Sequence, residues 1–426
     1  MNITTRYAGV SAKQLQQYHK RLRPEVRRMQ RAAANAYRDD RASINLPFDT
    51  THLQRAEALA RKHKRAALVI VVGIGGSNLG TWAVQEAVLG KQHNLTSKKK
   101  IFYADTVDAE NIMRLNTLLA GALRRKEHVV INGVSKSGGT AETIANLGVF
   151  VQTLRNYRRN PKNHVVITTN EGSNFWQYGK EHGYATLPIP QKVGGRYSVF
   201  SLVGLFPLAV IGVNIRKLLA GARAMRTACM QTRKNPAITR AALLHHAYSK
   251  GRNIADNFYF RVDLENIGKW YRQLMGESIG KEWNKTHRKQ VWMGITPTVS
   301  VGSTDLHSMA QLYFGGPDDK FFSIVTCNSW TNVKVQPGYE SLVPTIKGKS
   351  FKQIMNAIVG GVTAVLRKQG RPFCTIELTN TNEHAIGGLL QLHMMEMMYL
   401  AALLRVNPFD QPNVEAYKIE TKRLLK

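Results

Sequence analysis

Short apolar runs alternate with helix-period stretches along much of this chain. AALVIVV (66–72), KIFYAD (100–105), EHVVINGV (127–134), NHVVITT (163–169) and ATLPIP (185–190) are uninterrupted and mostly rich in β-branched residues. Such runs suit strands buried on both faces, and each is followed by a helical or loop connection, so residues from about 65 to 190 predict a parallel α/β sheet. Helix pattern fills about 197 to 250. A second α/β unit follows, with VWMGI (291–295), VSVGS (299–303), FFSIVT (321–326) and CTIELT (374–379) as its strands. Helix dominates again from His384 to Leu404, and NPFDQPNVEAYK (407–418) supplies a loop entering a final basic helix. Residues 1 to about 50 read as Arg-rich helix and turn, an arm rather than a domain.

Two polar turns interrupt this pattern where a strand passes into a helix. SKSGGTAET (135–143) follows HVVINGV, and GIGGSNLG (73–80) follows AALVIVV. Hydroxyls, unpaired backbone N–H groups and a positive helix end suit an anion, and Gly138 and Gly139 let the backbone approach it. A tight turn with Thr140 as helix N-cap fits SKSGGTAET as well. The spacings argue against two nucleotide motifs: a Walker A loop starting at Gly133 needs Lys at Gly139, and a dinucleotide fingerprint needs Gly at Asn78. Both turns should lie on one carboxyl-end rim of the sheet, where α/β proteins bind ligands.

Composition narrows the class. A chain of 426 residues has room for two or three domains. Cys229, Cys327 and Cys374 lack any paired spacing, which fits reduced structural thiols in a cytoplasmic protein and neither a disulfide framework nor a zinc site. MNITTRYAGVSAKQL lacks the apolar core of a signal peptide. FSLVGLFPLAVIGV (200–213) is too short to span a bilayer and reads as a buried helix, so no membrane role is expected. The formal net charge of +32 favours anionic neighbours. No RNA-recognition or helix-turn-helix signature accompanies it. The charge therefore reads mainly as a host or solubility trait, with nonspecific nucleic-acid contact as a side consequence.

Four more segments carry polar groups that periodicity does not require. In VGGRYS (193–198), Arg196 follows a glycine pair, which suits either ligand contact or an ordinary surface position. In YRQLMGESIGK (271–281), Gln273 and Glu277 are four apart and share a helix face, as ligand contacts or as a solvated surface. STDLHSMAQLY (303–313) places His307 in a polar loop after a strand, and NPFDQPNVEAYK carries Gln411 and Lys418. His384, His393 and the methionines of LHMMEMMYL (392–400) read as helix-end or core residues.

In order and spacing, GIGGSNLG, SKSGGTAET, VGGRYS, YRQLMGESIGK, STDLHSMAQLY and NPFDQPNVEAYK resemble the glucose-6-phosphate isomerase family in its shorter bacterial form, from about Val71 to Lys418. The resemblance implies an α/β fold of two sugar isomerase (SIS) domains, flavodoxin-like α/β/α sandwiches with parallel sheets, plus helical terminal segments. The expected divisions are an arm at 1–50, a first SIS domain at 51–240, a second at 241–404 and a C-terminal loop and helix at 405–426. It also implies a phosphate site at Gly76, Ser77, Ser135, Lys136, Ser137 and Thr140. Glu277 would be the catalytic base, with Gln273 and Gln411 at the substrate. Arg196 would stabilise the negatively charged intermediate, and His307 and Lys418 would open and close the sugar ring. A sugar-phosphate substrate, no metal or cofactor, and a homodimer in which His307 crosses to the neighbouring site complete the implication. Glu277 moving a proton between adjacent carbons fits general acid–base chemistry. The rival readings are a noncatalytic SIS-type sugar-phosphate sensor and an isomerase that also accepts mannose 6-phosphate. The chain departs from the family signature at Asn413, where glycine is usual, and at Gln191 and Leu202. Asn413 is expected to be tolerated because Asn adopts left-handed backbone more readily than other non-glycine residues.

Overall fold

The five predicted strands of the first unit form one parallel sheet. In the computed structural model, which describes residues 1–158, 160–339 and 341–426, the strands in chain order are β1 (Asn2–Thr4), β2 (Ala66–Val72), β3 (Lys100–Ala104), β4 (His128–Val134), β5 (Val165–Thr169), β6 (Ala185–Pro188), β7 (Ile254–Tyr259), β8 (Lys281–Trp283), β9 (Gln290–Met293), β10 (Thr296–Val301), β11 (Lys320–Cys327) and β12 (Phe373–Leu378). The first sheet runs β3-β2-β4-β5-β6 with every pairing parallel. Counted within the unit, this is the flavodoxin order 2-1-3-4-5, whose switch point lies between β2 and β4. Successive β2 side chains enter different cores: Val69 and Val71 join one cluster with Phe206, while Leu68, Ile70 and Val72 join another with Leu119 and Phe150. Helical layers on both faces explain why AALVIVV is apolar at every position.

The second sheet runs β1-β12-β11-β7-β10, and its β7, β10, β11 and β12 are parallel. Two expectations need correction here. VWMGI does not enter this sheet: Gln290–Met293 pairs antiparallel with Lys281–Trp283 in a separate two-stranded ribbon. The remaining interior place, between β10 and β11, belongs instead to β7, whose sequence IADNFY carries Asp256 and Asn257 mid-strand. The N-terminal segment holds the helices Ala12–Arg21 and Arg23–Ala33, and it also supplies β1, an antiparallel edge strand on β12. Pro297 lies on the other edge strand, β10, where a missing N–H is tolerated.

Between the sheets lies a helical layer common to both. Helices Leu202–Ile211, Ile215–Cys229, Glu265–Ile279 and Glu383–Leu404 contribute to one continuous core cluster that also takes side chains from both sheets. Glu383–Leu404 is long and apolar enough to cross a membrane, yet 94% of its apolar window is buried inside the fold. It meets Ile215–Cys229 backbone to backbone: a Cβ on Gly221 would sit 1.8 Å from the His384 carbonyl oxygen, and one on Gly387 would sit 1.9 Å from that of Leu218. Met394, Met395, Met397 and Met398 are buried, as a core role requires. Helix Glu265–Ile279 packs on both Leu79–Leu89 and β10, so its side chains are placed by both units.

Candidate active site

The two polar turns leave adjacent strands β2 and β4 at the switch point of the first sheet. They touch. A Cβ on Gly73 would lie 2.8 Å from both the Ser77 Cβ and the Val134 carbonyl oxygen, so Ser77 sits against the end of β4, next to Ser135. Within the second turn the Ser135 hydroxyl meets Thr140 Oγ1 at 2.8 Å and accepts from the Gly138 N–H at 3.2 Å, while Gly139 N–H reaches Ser137 Oγ at 3.4 Å. Gly138 has φ +75°, a left-handed conformation that disfavours a side chain. Thr140 is the N-cap of helix Ala141–Tyr157, but its side chain makes no capping bond. The first-turn N–H groups of that helix are thus not occupied by the threonine, and a purely capping role does not account for the turn.

A third turn locks onto these two. A Cβ on Gly76 would fall 2.1 Å from the Gly195 carbonyl carbon, so only glycine permits this backbone contact, and Ser198 Oγ donates to the Gly76 carbonyl at 3.2 Å. The contact sets Arg196 beside the phosphate-type turns. Burial, reinforced by the nearby Arg196 and Lys192, pushes the Lys136 ammonium below its ordinary value. Lys136 and Arg196 therefore share a region of positive potential suited to an anion.

Arg196 is a buried anchor and not a surface residue. Its side chain is 1% exposed and its N–H groups reach five acceptors. Nε donates to Ser278 Oγ at 2.9 Å; Nη1 donates to Glu277 Oε2 and to Gln411 Oε1, each at 2.8 Å; Nη2 donates to the carbonyls of Pro408 at 2.6 Å and Asp410 at 3.2 Å. The Tyr197 hydroxyl also meets Ser278 Oγ, at 2.9 Å. On helix Glu265–Ile279, Gln273 Nε2 donates to Glu277 Oε1 at 2.9 Å, so the expected shared face exists and both carboxylate oxygens have a partner. Glu277 remains 32% exposed and can meet a ligand.

Two predicted residues make no hydrogen bond or ion pair with this cluster among the described residues. His307 is exposed on the turn after β10, lining a hollow of about 350 Å³ with Leu306 and Phe314, and among the described residues it has no hydrogen bond or ion pair to Arg196 or Glu277. Lys418 lies on the C-terminal helix Asn413–Leu424 and donates to Glu415 Oε1 at 2.7 Å. Asn413 opens that helix and has no positive φ; its side chain donates to Glu282 Oε2 at 2.7 Å, so the departure from glycine is accommodated as a helix start and not by left-handed backbone. Sequence reasoning missed Ser278, Asp410 and Lys281. Ser278 directly follows Glu277 and Asp410 directly precedes Gln411, and that adjacency was the available signal. Among the described residues no group of three or more His, Cys, Asp or Glu side chains is placed to hold a metal ion.

Two parallel α/β units, a hydroxyl-rich turn at the switch point of the first, and Glu277 of the shared helical layer paired with Arg196 of the adjoining turn define the class: an α/β protein with its candidate site at the carboxyl edge of the first sheet. Residues 51–426 match the phosphoglucose isomerase family. A glucose-6-phosphate isomerase of Carboxydothermus hydrogenoformans is 34% identical over 90% of this chain and 84% of its own length. One of Rubrobacter xylanophilus is 31% identical over 98% of this chain and 95% of its own. Among solved structures, a hypothetical protein of Thermus thermophilus superposes with a TM-score of 0.86 at 28% identity, covering 100% of this chain and 99% of that one. The chain belongs to the phosphoglucose isomerase family.

Proposed function

We propose that this protein interconverts glucose 6-phosphate and fructose 6-phosphate, a step of glycolysis and gluconeogenesis. Its relatives over nearly the whole chain carry the name of that enzyme. The observation that carries the reading is Arg196 Nη1 bridging Glu277 and Gln411 beside the phosphate-type turns. An aldose–ketose isomerase needs an anchored phosphate, a base beside two adjacent carbons and fixed positive charge near the enediolate.

In this reading Gly76, Ser77, Ser135, Lys136, Ser137 and Thr140 hold the phosphate. Glu277 takes the proton from C2 of the open-chain aldose and returns it to C1 through a cis-enediol, while Gln273 and Gln411 orient the carboxylate and the sugar. Arg196, which stays charged at any working pH, stabilises the oxygen that gains negative charge. Ring opening falls to Lys418 and to the partner subunit's His307. The exposure of His307, which has no hydrogen bond to its own chain's Glu277 among the described residues, supports a homodimer in which it serves the neighbouring site. The arm at 1–50, SIS domains at 51–240 and 241–404 and tail at 405–426 are the divisions we assign. A cytoplasmic setting accords with three reduced cysteines, and the +32 charge supports nonspecific nucleic-acid contact.

A coupled assay tests the reaction. Purified protein should convert fructose 6-phosphate to glucose 6-phosphate without added metal, and Glu277→Gln should abolish nearly all of that turnover. Full activity in the variant overturns the assignment of the base. Bound sugar phosphate without turnover identifies a sensor, and comparable turnover of mannose 6-phosphate identifies a broader isomerase.

A further inference from the structure

Lys281 opens β8 just past the helix that carries Glu277, and its ammonium is buried. It donates to Asp410 twice, to the backbone carbonyl and, at 3.0 Å, to Oδ1. The same carbonyl accepts from Arg196 Nη2 at 3.2 Å. Pro408 and Gln411, on either side of Asp410, supply two more of the Arg196 acceptors. Asp410 Oδ2 is engaged in turn by Asn407 Nδ2 at 2.7 Å and faces His287 Nε2 at 3.7 Å. The segment 407–411 is thus held by one buried ammonium on one side and wraps one buried guanidinium on the other.

We propose that Lys281 is a positioning residue: by clamping the backbone carbonyl and Oδ1 of Asp410 it fixes the 407–411 segment, and through it the placement of Arg196 and Gln411 against Glu277. Removing the ammonium leaves the Asp410 carboxylate without its closest cation and lets the segment drift. A displacement of even 1 Å in such a supporting element lowers turnover by up to about 100-fold. Lys281 itself faces Asp410, Arg196 and Glu277. Burial pushes its ammonium below the ordinary lysine value, opposed chiefly by Asp410; Arg196 adds to the lowering and Glu277 opposes it. The clamp is therefore lost at high pH, earlier than a surface lysine would deprotonate.

The kinetic part rests on the isomerase reading; the structural part does not. In Lys281→Met, kcat should fall about 10-fold to 100-fold with KM within about twofold, and the amides of Phe409, bound to Asn407 Oδ1, and Val414, bound to the Gln411 carbonyl, should exchange faster with solvent. Lys281→Arg should restore most of kcat and slow the exchange again. Its activity should also persist to higher pH than that of the natural protein, because guanidinium does not titrate there. Should Lys281→Met fail to fold, Asp410→Asn, which keeps the carbonyl and loses the charge, should give the same exchange pattern and an intermediate kcat. Unchanged kcat and exchange in these variants, or a Lys281→Arg variant as slow as Lys281→Met, would overturn the clamp. If the natural protein turns over no sugar phosphate, the isomerase reading fails and the exchange measurement alone decides the clamp.

Discussion

Arg196 and Glu277 stand 2.8 Å apart with opposite exposure: the guanidinium side chain is 1% exposed and the carboxylate 32%. The cation is fixed by protein on every N–H, while the anion has one partner on each oxygen and stays partly open to solvent. Geometry of this kind leaves the carboxylate able to trade a proton without losing its orientation.

Arg196→Lys should test that division of labour. A lysine retains the charge but cannot reach five acceptors at once, so both the proposed enediolate stabilisation and the 407–411 wrap should weaken. We expect kcat to fall by about 100-fold or more, the scale of losing one preorganised oxyanion donor. Steady-state kinetics on fructose 6-phosphate check this, and a variant within a few-fold of the natural rate would remove Arg196 from the chemistry.

Lys136→Met and Ser135→Ala probe binding. In the proposed reading their turn holds the phosphate and not the reacting carbons, so KM should rise more than kcat falls. Hydrogen bonds to charged groups are worth about 1.5–3 kcal/mol, which corresponds to a rise of roughly 10-fold to 100-fold in KM for Lys136→Met. Competitive inhibition by inorganic phosphate should weaken in parallel, and the ratio of the two inhibition constants reads the effect directly.

Arg240 and Glu396 form a fully buried ion pair at 3.2 Å, with the Tyr271 hydroxyl at 2.8 Å from Glu396 Oε1 and His393 Nδ1 at 2.8 Å from Oε2. Arg240 also reaches Ser323 Oγ at 2.9 Å. Glu396→Ala strands a buried guanidinium and should cost about 3–5 kcal/mol of stability, read as a lowered urea midpoint. Tyr271 sits on the Glu277 helix, so the same variant should also lose activity before it loses secondary structure on titration with urea.

Acid should destabilise the first unit at its strand starts. His63 Nδ1 lies 2.9 Å from His128 Nε2, and the His128 ring stacks near His164. Burial, with the neighbouring histidines and Lys62, pulls His63 from 6.5 down to about 4; burial also lowers His128 and His164, with Arg158 adding to both. A depressed histidine is neutral in the fold and protonates first in the unfolded chain. Stability is therefore full above about pH 6.5 and falls as pH drops toward 4, by on the order of 3 kcal/mol for His63. The urea midpoint should fall between pH 7 and pH 5, and His63→Leu should flatten that slope.

Mostly apolar runs made β2 to β6 readable from the chain, because the inner strands β2, β4 and β5 are buried on both faces and carry few polar positions to confuse the pattern. β7 hid behind Asp256 and Asn257. The cost of the buried Asp256 is offset by hydroxyls from Thr298 at 2.6 Å, Ser300 at 2.9 Å and Tyr313 at 3.1 Å, partners that lie 42 residues or more away in sequence and that no local window contains. VWMGI misled for the converse reason: its residues look like core, yet Trp292 is 72% exposed on the small ribbon. At the site, the turns and the Gln273–Glu277 face were local and legible. The burial of Arg196 was not, since its acceptors at Pro408, Asp410 and Gln411 are more than 200 residues distant.

The strand β1 sets an order of events during synthesis. Asn2 pairs with Glu377 and Thr4 with Thr375. Asn2 and Thr4 must therefore wait for partners that are synthesised much later, a delay of roughly 20–75 s at 5–20 residues per second. Within that interval all five strands of the first sheet emerge, but the core cluster they share with the second sheet stays incomplete until Glu383–Leu404 follows β12.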